Sequence, residues 1–403
     1  MSMQYFMYKV KDDAGRTLYG LIEGQTKDDI KKRLRRPNLF FISARPYHLQ
    51  KLFKSRVKFQ TLIMFTNRLS SLIEAGIPIL SAMDILWRQS EDQTIQLVVS
   101  YMKRQLEEGN KISTTMEYFP RIFPVVYRAL IRVGETSGAM TPILRKLTEF
   151  LEYKAKIILR TKKATFYPSI VVVFSVLVIL GMFMFVVPTF QKLLLKLDVD
   201  LPVLTKVILE ISTKMRTWGF FITVVFGGMG LYMTLNYLRR NPRVAAKIDG
   251  MVLKIPYFGH IFLTISLSQY IRSLSILLEA GVPLIESLTV ANSTTGNQKI
   301  AQELDGIKND AEQGVSLYEG FKKIKDIPVM LIEMIGIGES TGMMSQILEK
   351  VNRHFDEEIE YNIDRFLTML EPLLIIFVGF IVIITLLSIY LPVISIWDSL
   401  SGY

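Results

Sequence analysis

Residues 134–138 read Gly134-Glu135-Thr136-Ser137-Gly138, and residues 338–342 read Gly338-Glu339-Ser340-Thr341-Gly342. The second string satisfies G-x-S-x-G, in which a hydrolase serine sits on a strand-to-helix turn with an acid and a histidine further along. Its setting argues otherwise. The preceding run, "VMLIEMIGI" (329–337), has the composition of a helix. Only His354 follows Ser340, and the remaining histidines of the chain are His48 and His260. The first string puts Thr136 where the nucleophile belongs. Two related strings, 204 residues apart from Gly134 to Gly338, describe a repeated turn between helices. Glycine is suited to ending the incoming helix, and Ser or Thr to capping the outgoing one.

The duplication extends outward. "LSSLIEAGIPIL" (69–80) matches "LSILLEAGVPLI" (274–285), setting Glu74, Gly76 and Pro78 opposite Glu279, Gly281 and Pro283. Pro124 and Pro328, Pro168 and Pro372, and Pro188 and Pro392 pair at the same 204-residue offset. Repeat one covers about 58–190 and repeat two about 262–394. In each, apolar residues at helical spacing predict a helical bundle. Gly76 suits a left-handed cap and Pro78 the first turn of the next helix. Ser316 and Glu319 have capping-box spacing, as do Thr114 and Glu117. The helix after each glycine turn is expected to run on to Pro168 or Pro372 at a membrane entrance, with a kink there.

Half of the residues are hydrophobic, the net charge is +11, and cysteine is absent, which excludes disulfides and thiolate chemistry. Three uncharged stretches are long enough to span a bilayer, predicting transmembrane helices at 164–190, 217–238 and 372–394. If both repeats face the same way, the chain must return once between them, and the unpaired middle segment does so. The basic flanks "KAKIILRTKK" (154–163) and "RRNPR" (239–243) favour the cytoplasm. The expected chain is an all-α multi-pass membrane protein. A small α+β segment (1–50) precedes cytoplasmic bundles at 58–163 and 262–366, an external loop at 191–216 and an external tail at 395–403. Within 1–50, alternation around Asp13-Ala14-Gly15 predicts a hairpin, Thr26 caps a short helix, and "LFFISARPY" reads as a strand. Residues 48–59 read as a basic linker. No signal peptide is legible at the start.

No P-loop and no H-E-x-x-H occurs. Asp356, Glu357, Glu358 and Glu360 form a cluster able to attract a cation, although a solvated helix face is the plainer reading. Stacking aromatics do not interleave the basic stretch 31–36, which argues against nucleic acid. The expectation is no catalytic residue, no metal and no cofactor.

The duplicated "LSSLIEAGIPIL…GETSGAM" and "LSILLEAGVPLI…GESTGMM" blocks resemble the type II secretion system F domain. That domain occurs twice in inner-membrane platform proteins of type II secretion and type IV pilus machines. The resemblance covers nearly the whole chain, including the opening "YKVKDDAGRTLYGLIEG". It implies a non-enzymatic platform protein coupling a cytoplasmic hexameric ATPase to pilin or pseudopilin assembly. It also implies other inner-membrane assembly proteins as neighbours, homo-oligomers in the bilayer, and a periplasmic place for the external loop and tail. A transporter or channel built on a repeat is the alternative. It is disfavoured because the predicted spans hold no ionisable side chain.

Overall fold

The computed structural model describes residues 4–34, 39–189, 206–207, 210, 212–214, 217–238, 241–256 and 258–401. Among the described residues the chain is mostly helical, with one small sheet, and it divides into two compact units. The first holds Met1–Ile158 and Leu263–Asp356, the second Leu159–Phe262 and Glu357–Tyr403.

The first unit opens with strands β1 (Gln4–Asp12) and β2 (Thr17–Gly24), helix α1 (Lys27–Arg33) and strand β3 (Leu39–Pro46). The antiparallel sheet has the order β2-β1-β3. Its hairpin is closed by Asp12, whose carboxylate accepts the Arg16 backbone N–H at 2.8 Å and pairs with the Arg16 guanidinium. Thr26 caps α1, its hydroxyl accepting from Asp29 N at 3.3 Å. The segment read as a linker contains a short helix, α2 (Leu49–Phe53). Leu52 is wholly buried, and the Phe53 ring lies 5.4 Å from Tyr118 and 5.5 Å from Phe119. Two apolar side chains among basic ones suffice to dock it.

Repeat one then forms α3 (Phe59–Glu74), α4 (Ile79–Gln89), α5 (Gln93–Glu107), α6 (Ile112–Glu117), α7 (Val125–Ser137) and α8 (Met140–Gly181). Helices α9 (Trp218–Leu238) and α10 (Pro242–Leu253) follow. Repeat two returns the same series as α11 (Phe258–Glu279), α12 (Leu284–Asn292), α13 (Gln298–Glu312), α14 (Leu317–Lys322), α15 (Val329–Thr341) and α16 (Met344–Ser401). Local chemistry sets the breaks. Gly76 and Gly281 take φ of 77° and 83°, a left-handed conformation that side chains disfavour, and so end α3 and α11. Pro78 and Pro283 stand at the N-cap positions of α4 and α12. Asp92 and Asn297 cap α5 and α13, each accepting two backbone N–H groups of the first turn.

The core of repeat one is apolar and aromatic. Leu62, Phe65 and Leu69 line one side of α3 and are buried with Phe119 and Phe123. Burying each such phenylalanine is worth about 2–3 kcal/mol relative to exposure. The outer edge of β2 would leave orphan backbone groups, and α4 and α5 cover it. Tyr19 N donates to Gln96 Oε1 and Leu21 N to Ser100 Oγ, both at 3.0 Å, while Trp87 Nε1 donates to Tyr19 O at 2.7 Å.

Among the described residues, two helical stretches are long and apolar enough to cross a membrane, Met140–Thr189 and Phe258–Glu279. The second is a core helix, because Leu267, Tyr270, Leu274 and Leu277 are buried along it with Ser268, Ser273 and Ser275. In the first, the expected span 164–190 presents exposed Phe166, Val173, Phe174 and Leu177. The other expected spans fall on α9 and α16, whose side chains are described only in part. The expected loop 191–216 lies largely outside the described residues. Helices α8 and α16 run through Pro168 and Pro372 without interruption. The long helix of repeat one thus extends roughly 63 Å over 42 residues at 1.5 Å each.

Candidate functional site

The turn strings join α7 to α8 and α15 to α16. Gly138 and Gly342 terminate the incoming helices with φ of 70° and 69°. Gly134 and Gly338 play another part, inside the helix and buried. A Cβ at Gly134 would lie 2.9 Å from Met140 Sδ, and one at Gly338 3.2 Å from Met344 Cα. These glycines let the outgoing helix fold back against the incoming one. Ser137 Oγ accepts from Ala139 N at 3.3 Å and Thr341 Oγ1 from Met343 N at 3.4 Å, weak caps of the outgoing helices. The Ser340 hydroxyl donates to Ile337 O of its own helix at 3.1 Å. This is a helix–turn–helix, not the strand-to-helix elbow of a hydrolase.

The glutamate of each string reaches a different helix. Glu135 Oε1 accepts from Ile112 N at 2.8 Å, and Oε2 accepts from Ser113 N at 3.3 Å and from the Ser113 hydroxyl. Glu339 accepts from Leu317 N at 2.8 Å and Tyr318 N at 3.0 Å. Each carboxylate therefore satisfies the first-turn donors of α6 or α14 from outside the helix, where a negative charge also suits the helix dipole. In repeat one this displaces the expected capping box. Lys111 is the N-cap residue and offers no side-chain acceptor, and Thr114 lies inside α6. In repeat two Ser316 caps α14 as expected, accepting from Glu319 N at 3.3 Å.

The other paired glutamates lie at the surface. Glu74 meets Arg145 at 2.7 Å within repeat one, whereas Glu279 of repeat two meets Lys146 of repeat one. Further contacts join the repeats inside the first unit. Arg132 bridges Glu117 at 2.9 Å and Glu286 on α12 at 3.6 Å. Its counterpart is Gly336, over which Tyr318 packs, so the copies differ here by a whole side chain. The Arg272 guanidinium lies 3.4 Å from the centre of the Tyr153 ring and donates to Asp356 at 2.6 Å. Tyr153 also meets the Ser268 hydroxyl at 3.2 Å. Burial, reinforced by the Asp356 carboxylate, pushes the Tyr153 phenol up to about 12. Asn67 and Glu152 occupy the matching places of repeat one, bonded at 3.0 Å.

The acidic run read as a possible cation holder is divided among separate partners. Asp356 pairs with Arg272, Glu358 with His260 at 2.8 Å, and Glu360 with Arg160. Glu358 points roughly 200° away from its neighbours two positions off, and Asp356 and Glu360, four apart on one face, are each taken by a different arginine. The trans-capping role of Glu135 and Glu339 was not legible in sequence, since it joins residues 22 or 23 positions apart. Their recurrence at matched positions was the one available signal.

A tandem pair of six-helix repeats, each ending in a glycine-turned long helix, defines a duplicated helical scaffold. The chain belongs to the family of the type II secretion system (T2SS), protein F, whose model matches residues 65–188 and 270–392, more than half of the chain. The two matches fall on the two repeats. The chain is 26% identical to the type II secretion system protein F of Pseudomonas aeruginosa, over 98% of this chain and 99% of that one. It is 28% identical to the type IV pilus assembly protein PilC of Thermus thermophilus, over 99% of this chain and all of that one. The Pseudomonas aeruginosa PilC is also 28% identical, over 84% and 90% of the two chains.

Proposed function

We propose that this chain is an inner-membrane platform protein that couples a cytoplasmic secretion ATPase to pilin or pseudopilin assembly. The observation that carries the reading is the coincidence of the two family matches with two bundles, each continuous with a long helix. A rigid helix passing from a bundle into the bilayer transmits a tilt or rotation of that bundle. The exposed apolar surface of Phe166, Val173, Phe174 and Leu177 supports a lipid-facing segment. We place the amino terminus and both bundles (58–163 and 262–366) in the cytoplasm. Crossings fall at 164–190, 217–238 and 372–394, with the carboxyl terminus in the periplasm. In oligomers the bundles would face the ATPase and the membrane helices the departing subunits. The relatives' names divide between secretion and pilus machines at similar identity, so the reading stops at the platform role.

The test is a deletion strain complemented with the full chain. Restored filament or secretion output, with the neighbouring ATPase copurifying, is the expected result. Solute flux through the purified chain alone in proteoliposomes would overturn it in favour of a transporter. The cysteine-free chain makes topology equally direct. Labelling of Ser401→Cys only from the cytoplasmic side would sink the three-crossing arrangement.

A further inference from the structure

Residues 152–163 of α8 and 356–367 of α16 occupy the same place in the two repeats. The first segment carries five basic residues and one acid, the second five acids and one base. Three matched positions carry opposite signs, Lys154 with Glu358, Lys156 with Glu360 and Arg160 with Asp364, each 204 residues on, while Glu152 and Asp356 are both acidic. In the second unit such counterparts meet. Arg160 Nη2 donates at 3.1 Å to Asp364, its own image in the other repeat, and Nη1 pairs with Glu360 one turn earlier. The Arg160 and Glu360 side chains are only 29% and 33% exposed, so water screens this pair incompletely. The register continues toward the membrane entrance. Lys163 with Leu367, and Tyr167 with Glu371, line one cavity of about 270 Å³, again as images of each other.

Over these turns α8 and α16 therefore run with residue i beside residue i + 204. That is the register two copies of one helix would adopt about a two-fold axis. Packing in such a register does not by itself distinguish α16 from the α8 of a second copy. Charge does. Self-pairing of α8 would bring Arg160 against Arg160 with four more basic residues beside it, whereas pairing with α16 sets every one of the three matched positions opposite in sign. We infer that this charge opposition is the specificity determinant that directs α8 to the α16 of its own chain and away from the α8 of a second copy. Arg160, Glu360 and Asp364 are its central residues. The inference stands apart from the proposed export role, because its readout is a cross-link.

The experiment uses the full chain in membranes, where no native cysteine interferes. Tyr167→Cys with Thr368→Cys places thiols across the cavity, and a short bismaleimide reports their joining within one chain. Tyr167→Cys alone reports joining between copies. We expect an efficient intrachain cross-link and little interchain product in the native background. Arg160→Asp should lower the intrachain yield about fivefold, because it sets three acids together. Adding Lys156→Glu, Glu360→Lys and Asp364→Arg, which reverses the signs at both the 156/360 and the 160/364 positions, should restore it. An intrachain yield unchanged by Arg160→Asp overturns the inference, as does a yield that stays low in the reversed chain. If Arg160→Asp alone fails to accumulate, the reversed chain decides. Native cross-linking there supports the charge rule, and failure to accumulate or cross-link refutes it.

Discussion

The glutamate of the turn string can be removed in either repeat, and the structure predicts unequal consequences. Glu135 receives three donors from the first turn of α6, and Lys111 leaves that turn without another side-chain cap. Losing an N-cap typically costs about 1 kcal/mol, and hydrogen bonds to a charged group contribute about 1.5–3 kcal/mol each. Because water replaces part of the loss at this half-buried site, Glu135→Ala should cost about 2–3 kcal/mol. Glu339 receives two donors, and Ser316 still accepts from Glu319 N once it is gone. Glu339→Ala should cost about 1–2 kcal/mol. With tenfold per 1.4 kcal/mol, amide protection over 112–117 should fall about 30- to 150-fold in the first variant. Protection over 317–322 should fall about 5- to 30-fold in the second. Glu135→Gln should lie between, since an amide keeps one acceptor oxygen and turns a donor toward the helix. Hydrogen exchange of the purified full chain, read by mass spectrometry, measures each segment. Unchanged protection of 112–117 in Glu135→Ala, or a larger loss in Glu339→Ala, would refute the capping account.

Ser340→Ala should leave export and melting temperature close to native, whereas Gly342→Val should cost 1 kcal/mol or more, on the order of the αL penalty, because φ at Gly342 is 69°. A dead but well-inserted Ser340→Ala would restore the catalytic reading. Tyr270 is wholly buried and its hydroxyl finds no protein partner among the described residues, while repeat one carries Phe65 at the matching place. Tyr270→Phe should therefore be neutral or stabilising by about 1 kcal/mol, and Tyr127→Phe destabilising by a similar amount, since the Tyr127 hydroxyl meets Thr66 at 3.1 Å; thermal unfolding of both variants decides. Burial lowers the Lys154 ammonium from its ordinary value of 10.5. Between the lowered folded value and 10.5 only the unfolded chain keeps that proton, so stability should rise with pH across this window. Lys154→Met should raise the melting temperature at neutral pH and flatten the alkaline rise, and a lower melting temperature would contradict the burial argument.

Much of this architecture was legible because duplication removes coincidence. One G-x-S-x-G string reads as chemistry, and two offset strings with Thr136 and Ser340 exchanged read as a turn. The hairpin, the Thr26 cap and the glycine helix stops followed from residues that act on their immediate neighbours. What escaped were side chains acting at a distance. Glu135 belongs to α7 in sequence but completes α6, and Leu52 docks a segment whose basic composition suggested solvent. Arg272 was visible as a departure from Asn67, yet its stacking on Tyr153 depends on how the repeats meet. The acidic run from Asp356 to Glu360 looked like one cluster because a sequence is read as a line, whereas a helix turns successive carboxylates to different partners.

The trans-acting caps also set an order of events during synthesis. The first turn of α6 leaves the ribosome 23 residues ahead of the carboxylate that completes it. A six-residue helix is far too short to persist alone. It therefore waits for α7, and the same delay recurs between α14 and Glu339. Each bundle then receives this cap late, just as its long helix begins to emerge. Completion of a repeat is thereby tied to the delivery of its own long helix.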